Sequence, residues 1–223
     1  MCFDKKILTT RELYDAWIAN WEGYEPLRQR ILNEVPHYGN ADPYADEELK
    51  WCADTYYNIC NQLYSVRSKK YKAGLYGASD HIEQGKYTWA TPDGRFAGTP
   101  IADAMSPSQS RDTNGPTAVF QSSICFDHKH YMGGIALNLR MHPTVLSNQG
   151  GVDKLIDMTK TYFENGGMEV QYNVVDTETL RAAQVEPTQY RDLVVRIAGY
   201  SAYFVELGKS LQDDIIARNE NMI

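Results

Sequence analysis

The reagents one would look for first in this 223-residue sequence are its five histidines and four cysteines, and their spacing builds no conventional catalytic centre. His128 and His130 form an HxH pair beside Asp127. Such a pair can start a zinc site, but no further ligands follow at zinc-like spacing, and a surface turn is the better reading. Cys2, Cys52, Cys60 and Cys125 make no CxxC. Cys52 and Cys60 fall in a run of helical pattern, where buried free thiols are common. No metal site is expected. His142 precedes Pro143 after a strand-like run, so it is a candidate site histidine, with a structural strand end as the competing reading. Glu186 reads as a turn residue and Asp213-Asp214 as part of a solvated helix face. GxSxG, HExxH, the P-loop and GxGxxG are all absent from the sequence. By these criteria alone the residues identify no enzyme.

The segment Arg196-Ile197-Ala198-Gly199-Tyr200-Ser201-Ala202 is of another kind. Taken as bare residues, Gly199 is a glycine in a buried turn. The segment as a whole resembles the signature of the glycyl radical enzymes, R-[VI]-x-G-Y, and sits about two dozen residues from the chain end, where that family carries it. Other blocks resemble the same family in the same order: Thr91-Pro92-Asp93-Gly94-Arg95 with Gly98, Asp112 to Val119, Gly166-Gly167, Val170 to Val175, Tyr190-Arg191-Asp192-Leu193, and Leu211 to Arg218. The resemblance covers essentially the whole chain. It is nearer to the branch of glycerol, propanediol and hydroxyproline dehydratases, choline and isethionate lyases and arylacetate decarboxylases than to pyruvate formate-lyase itself.

The resemblance implies that Gly199 stores a radical. A planar alpha carbon between a donating amide nitrogen and a withdrawing carbonyl stabilises an unpaired electron, and a Cβ would crowd both that geometry and the approach of a second group. The chain would hold no bound cofactor. A separate radical S-adenosylmethionine activating enzyme, with an iron–sulfur cluster, would take the hydrogen from Gly199 and recognise the loop through Arg196, Tyr200 and Ser201. The glycyl radical would then take a hydrogen from a cysteine, and the thiyl radical one from a small-molecule substrate. Arg218 matches an arginine near the active site of dehydratase-like members and would support it by bonding a carboxylate; the plainer reading is a cation at a helix end. Asn138 and His142 are candidate pocket residues.

One part of the family pattern is missing. The thiyl cysteine of the family lies in a Gly-Cys-x-Glu loop, and none of the four cysteines here has Gly before it or Glu two residues after it. A larger partner chain is therefore expected to supply that loop. This makes the chain a split subunit, with a replacement part for oxygen-damaged enzyme, a truncated fragment, or a non-catalytic interaction relative as the alternatives.

The elements that must position these residues read as α/β: the carboxy-terminal portion of a glycyl radical enzyme barrel, with a helical first third followed by strands and the radical loop. Residues 1–75 are expected as a helical segment and 76–223 as the radical domain, together part of one larger barrel. Thr9-Thr10-Arg11-Glu12 is a capping box ahead of Leu13, Trp17 and Trp21. Pro26 starts a second helix. A long third helix is expected from Ala45 to about Tyr71, with Leu49, Cys52, Tyr56, Ile59, Leu63 and Val66 as its apolar positions. Residues 74–116 lose all periodicity, yet Trp89, Phe96, Ile101 and Met105 argue against a disordered linker. Strand and helix patterns then alternate to the end, and Leu211, Ile215 and Ile216 form the stripe of a last helix. A net charge of −7 with scattered Lys and Arg, apart from Lys69, Lys70 and Lys72, speaks against nucleic acid. No apolar run nears the ~20 residues of a membrane span, and no secretory signal is visible, so a cytoplasmic chain is expected.

Overall fold

A computed structural model describes residues 3, 6–67, 69–77, 79–197 and 200–219, without the side chains of 218 and 219. Three helices open the chain: α1 (Thr10–Ile18), α2 (Glu25–Glu34) and α3 (Pro43–Gln62). The Thr9 hydroxyl accepts from the Glu12 amide, and the Glu12 carboxylate accepts from the Thr9 amide at 2.7 Å, so both arms of the capping box form. Asp42 caps α3 through the amides of Tyr44 and Ala45. The helix ends at Gln62, well before Tyr71, because Leu63 turns to an extended backbone with ψ near 144°.

The buried stripe of α3 also differs from the expected one. Ala53 is buried and Leu49, Tyr57 and Cys60 pack beside it, whereas Cys52, Tyr56, Ile59, Leu63 and Val66 are exposed. The periodicity marks two adjoining apolar faces, and this chain covers one of them.

Residues 87–114 carry neither helix nor strand and are held by turns and side-chain bonds. The Thr91–Arg95 turn closes through the Thr91 amide to the Arg95 carbonyl at 3.0 Å, with Gly94 at φ +94°. The Arg95 guanidinium holds carbonyls of Phe96 and Thr99. Before this stretch lies α4 (Asp80–Lys86), and after it α5 (Gly115–Ser123).

The remainder alternates as the pattern indicates. Strand β1 (Asn138–Arg140) pairs in parallel with β2 (Gln171–Asn173), and α6 (Gln149–Glu164) crosses between them. Then come α7 (Thr177–Val185), the antiparallel hairpin β3 (Val194–Arg196) with β4 (Ser201–Tyr203), and α8 (Lys209–Asn219). The strands are three residues each, shorter than the apolar runs that contain them.

Three apolar clusters hold these pieces. One gathers α1 and α2 around Trp21, Ile31 and Ala90. The central one joins α3, α5, α6 and β1 through Val119, Phe120, Tyr131, Leu137 and Tyr162. The third belongs to the last 45 residues and centres on Leu180, Val195, Phe204, Ile215 and Ile216. Each fully buried side chain of this size contributes about 1.5–3 kcal/mol, so the hairpin and its two flanking helices cohere around a core of their own. No helix among the described residues is long and apolar enough to cross a membrane.

Candidate active site

The β3–β4 hairpin is the element that carries the Arg196–Ala202 segment. Its register pairs Val195 with Ala202 and Arg196 with Ser201, and the Ile197 amide donates to the Tyr200 carbonyl at 2.9 Å. Ala198 and Gly199, which join the two strands, lie outside the described residues. Val195 and Ile197 point into the third cluster, while Tyr200 and Ser201 are exposed. Directly beneath, α7 is capped by Asp176, whose carboxylate accepts from the Thr179 amide at 2.7 Å. That backbone bond, with a second from the Thr179 hydroxyl, holds the Asp176 carboxyl below its ordinary range.

Polar bonds fasten the hairpin to the parallel strand pair. Asn173, the last residue of β2, acts as a side-chain substitute for a neighbouring strand: its Oδ1 accepts from the Arg196 amide at 2.8 Å and its Nδ2 donates to the Arg196 carbonyl. Gln171 Oε1 accepts from Arg196 Nε at 2.9 Å, and Arg196 Nη1 lies 3.3 Å from Ser201 Oγ. The guanidinium is thus drawn inward, and Tyr200 and Ser201 are the exposed members of the segment. Gln171 and Asn173 fall in the Val170–Val175 block of the resemblance, but nothing local marks Arg196 as their target.

A second attachment reaches α8. His81 on α4, 4% exposed, sits between two buried carboxylates: Nε2 is 3.1 Å from Asp214 Oδ2, and Nδ1 is 3.5 Å from Asp103 Oδ1. Gln109 Nε2 donates to Asp214 Oδ1 at 3.1 Å, and Asn138 Nδ2 donates to Asp103 Oδ2 at 2.9 Å. The solvated-face reading of Asp213-Asp214 therefore holds for Asp213, which pairs with Lys209 at 3.0 Å, and fails for Asp214. Successive helical residues point about 100° apart, so one of two adjacent acids can face water while the other faces the body. Asn138 belongs to this buried network and lines no cavity found near His142.

His142 does border a cavity. About 380 Å³ opens at the carboxy end of β1, walled by Asp112, Arg140, Met141, His142 and Met158 among others. The same strand end holds Asn173, whose carbonyl accepts from the Met141 amide at 2.8 Å. The cavity lies at the carboxy end of β1 and the hairpin is fastened at the carboxy end of β2, the edge of a parallel pair where α/β sheets bind small molecules. Burial raises the Asp112 carboxyl. His142 itself caps the turn at Pro143–Leu146, with Nδ1 2.8 Å from Thr144 Oγ1. Arg218 lies in α8, but its side chain is outside the described residues.

The remaining reagents are occupied structurally. His128 is buried with a ring nitrogen 2.7 Å from the Ser123 carbonyl, and His130 stacks on Tyr57. Burial, reinforced by the nearby Asp46 carboxylate, pushes the Cys125 thiol up to about 11. Cys52, expected in the helix interior, is exposed. No group of three or more His, Cys, Asp or Glu side chains among the described residues could hold a metal ion.

Comparison with known proteins gives matches along the chain. Residues 101–205 match the family described as Glycine radical, and residues 1–85 that described as Pyruvate formate lyase-like. Trans-4-hydroxy-L-proline dehydratase of Clostridioides difficile is 39% identical over 98% of this chain and 28% of its own length. The 4-hydroxyphenylacetate decarboxylase glycyl radical subunit of the same species is 43% identical over 99% of this chain and 27% of its own. Among solved structures, the glycerol-bound B12-independent glycerol dehydratase from Clostridium butyricum superposes with a TM-score of 0.91 at 38% identity, over 97% of this chain and 27% of that one. The chain spans little more than a quarter of the length of the curated relatives it matches.

Proposed function

This chain belongs to the glycyl radical enzyme family and corresponds to the carboxy-terminal part of its dehydratase-like members, and from that premise we propose that it is the radical-bearing part of an anaerobic lyase, dehydratase or decarboxylase, with Gly199 as the radical store. The observation that carries the reading is the hairpin: the two ends of the Arg196–Ala202 segment lie on antiparallel strands, the first of which is clamped by Asn173 and Gln171 to the end of β2.

In this reading a radical S-adenosylmethionine activating enzyme removes one hydrogen atom from the Gly199 alpha carbon. The exposed Tyr200 and Ser201 offer it a surface, and Arg196 fixes the base of the loop. The Gly199 radical takes the thiol hydrogen of a cysteine, and the sulfur radical takes a hydrogen from the substrate. The chain's own contribution is rigidity: an apolar core under the hairpin and a polar clamp beside it hold the two strands that carry the store. The cysteine comes from a larger chain with a Gly-Cys-x-Glu loop, since no cysteine here stands in that setting. The uncovered apolar face of α3, with Tyr56 and Ile59 and continued by Leu63 just past its end, supports a partner of that kind. Arg218 and His142 are proposed to face the substrate side.

Oxygen tests the radical site. After activation, air should cleave the chain at Gly199 and release a fragment of about the 24 residues that follow it (223 − 199). An unchanged mass after verified activation would remove the basis for the reading.

A further inference from the structure

The loop after α3 concentrates positive charge in an otherwise acidic chain. Between Asp54 and Asp80 there is no Asp or Glu, while Arg67, Lys69, Lys70 and Lys72 give that stretch a formal charge of +4, against −7 for the whole chain. Lys69, Lys70 and Lys72 meet Lys129 and His130 around one cavity of about 680 Å³, and no carboxylate is among its described lining residues. Asp127, which is not among the lining residues, has Oδ2 3.9 Å from His130 Nε2. Asp54, on α3, is paired with Lys50 at 2.7 Å.

The loop that presents these cations is pinned. The Tyr71 amide donates to the Leu63 carbonyl at 3.3 Å, closing the loop at both ends, and the Gly133 amide donates to the Ala73 carbonyl at 2.8 Å. A Cβ on Gly133 would stand 2.7 Å from that carbonyl oxygen, so the close approach of the two segments needs glycine. On the far wall Tyr57 and His130 stack with centroids 4.1 Å apart and planes 6° from parallel. A helix carboxy end carries only about half a negative charge, which one lysine would satisfy, and Lys70 already donates to Asn61 Oδ1 at 3.4 Å. Lys69, Lys72 and Lys129, gathered around a cavity with no carboxylate among its described lining residues, repel one another and attract anions.

We propose that this cavity binds a small molecule bearing two or more linked phosphates, the lysines holding the phosphate oxygens beside the Tyr57–His130 wall. The volume suits a ligand of nucleotide size. Lysine is a point-charge partner for phosphate, whereas the flat fork that favours planar carboxylates is arginine's, and no arginine is among the described lining residues. A free polyphosphate and a nucleoside polyphosphate share this chemistry. The site is independent of the Gly199 chemistry.

The test is titration calorimetry of the whole chain with tripolyphosphate and with ATP, joined to acetylation footprinting of lysines read by mass spectrometry. Both probes should bind, more weakly as salt rises, and should shield Lys69, Lys70, Lys72 and Lys129 while Lys160 stays reactive. Tighter binding of ATP would identify a nucleotide ligand, and equal binding a phosphate chain alone. The Lys69→Gln/Lys72→Gln/Lys129→Gln variant should lose at least about tenfold in affinity with an unchanged melting temperature, since these side chains are exposed. Unaltered affinity in that variant, or no shielding of the four lysines, would overturn the proposal. Stronger shielding by polyglutamate than by tripolyphosphate would overturn it too, and assign the surface to an acidic protein face.

Discussion

Replacing His81 by leucine removes an imidazole that stands between Asp103 and Asp214, each of the three nearly closed to solvent. The substitution leaves two buried carboxylates without the group between them. Breaking a buried pair of this kind costs about 3–5 kcal/mol when one partner is taken away. Asp214 keeps Gln109 and Asp103 keeps Asn138, so the lower end, about 3 kcal/mol, is expected. The loss should appear first in α8, whose Ile215 and Ile216 support the hairpin. At about 1.4 kcal/mol per factor of ten, amide hydrogen exchange across α8 should quicken about a hundredfold, and the hairpin amides should follow. Helix α6 belongs to another cluster and should change little. The double variant His81→Leu/Asp214→Leu replaces the contact by an apolar one. It should cost less than the sum of the two single variants by about 2 kcal/mol. Additive costs, or unchanged exchange in α8, would refute the reasoning that this contact docks the last helix.

Two further outcomes concern the hairpin. Asn173→Ala removes both side-chain bonds to the Arg196 peptide and should cost about 2 kcal/mol, with exchange at the Arg196 amide accelerated ahead of the rest of the chain. Asp176→Ala removes the cap of α7 and should cost about 1 kcal/mol at pH 7. Its carboxyl is lowered in the folded chain, so the stabilisation is present above the unfolded value near about 3.9 and disappears as pH falls through the lower folded value. The difference in urea midpoint between wild type and variant should therefore be larger at pH 7 than at pH 2.5.

Local signals carried much of this structure. Both arms of the Thr9–Glu12 capping box form, Pro26 stands in the first turn of α2, and Ile215 and Ile216 are the buried stripe of α8. These features act within one helical turn, where sequence spacing and spatial neighbourhood coincide. The extent of α3 was overread because Leu63 and Val66 continue its period; an apolar period records that a face is covered, not which chain covers it. The strands came out shorter than their apolar runs because a strand ends where its partner's hydrogen bonds end. At the candidate site, Gly199 is singled out by the motif around it and the blocks that resemble the same family, whereas the residues that fasten its hairpin carry no local signal. Asp214 and His81 are 133 positions apart, and Asn173 and Arg196 are 23 apart; the fold, not a local pattern, brings them together.

The central claim concerns one alpha carbon. Anaerobic electron paramagnetic resonance, recorded after incubation with a matching activating enzyme, S-adenosylmethionine and reductant, with and without the larger chain, addresses it directly. The expected result is a doublet from the coupling to the remaining alpha hydrogen of Gly199, lost in Gly199→Ala and retained in Asp176→Ala. Silence in both settings with an activator verified on another substrate, or a signal that survives Gly199→Ala, would contradict it.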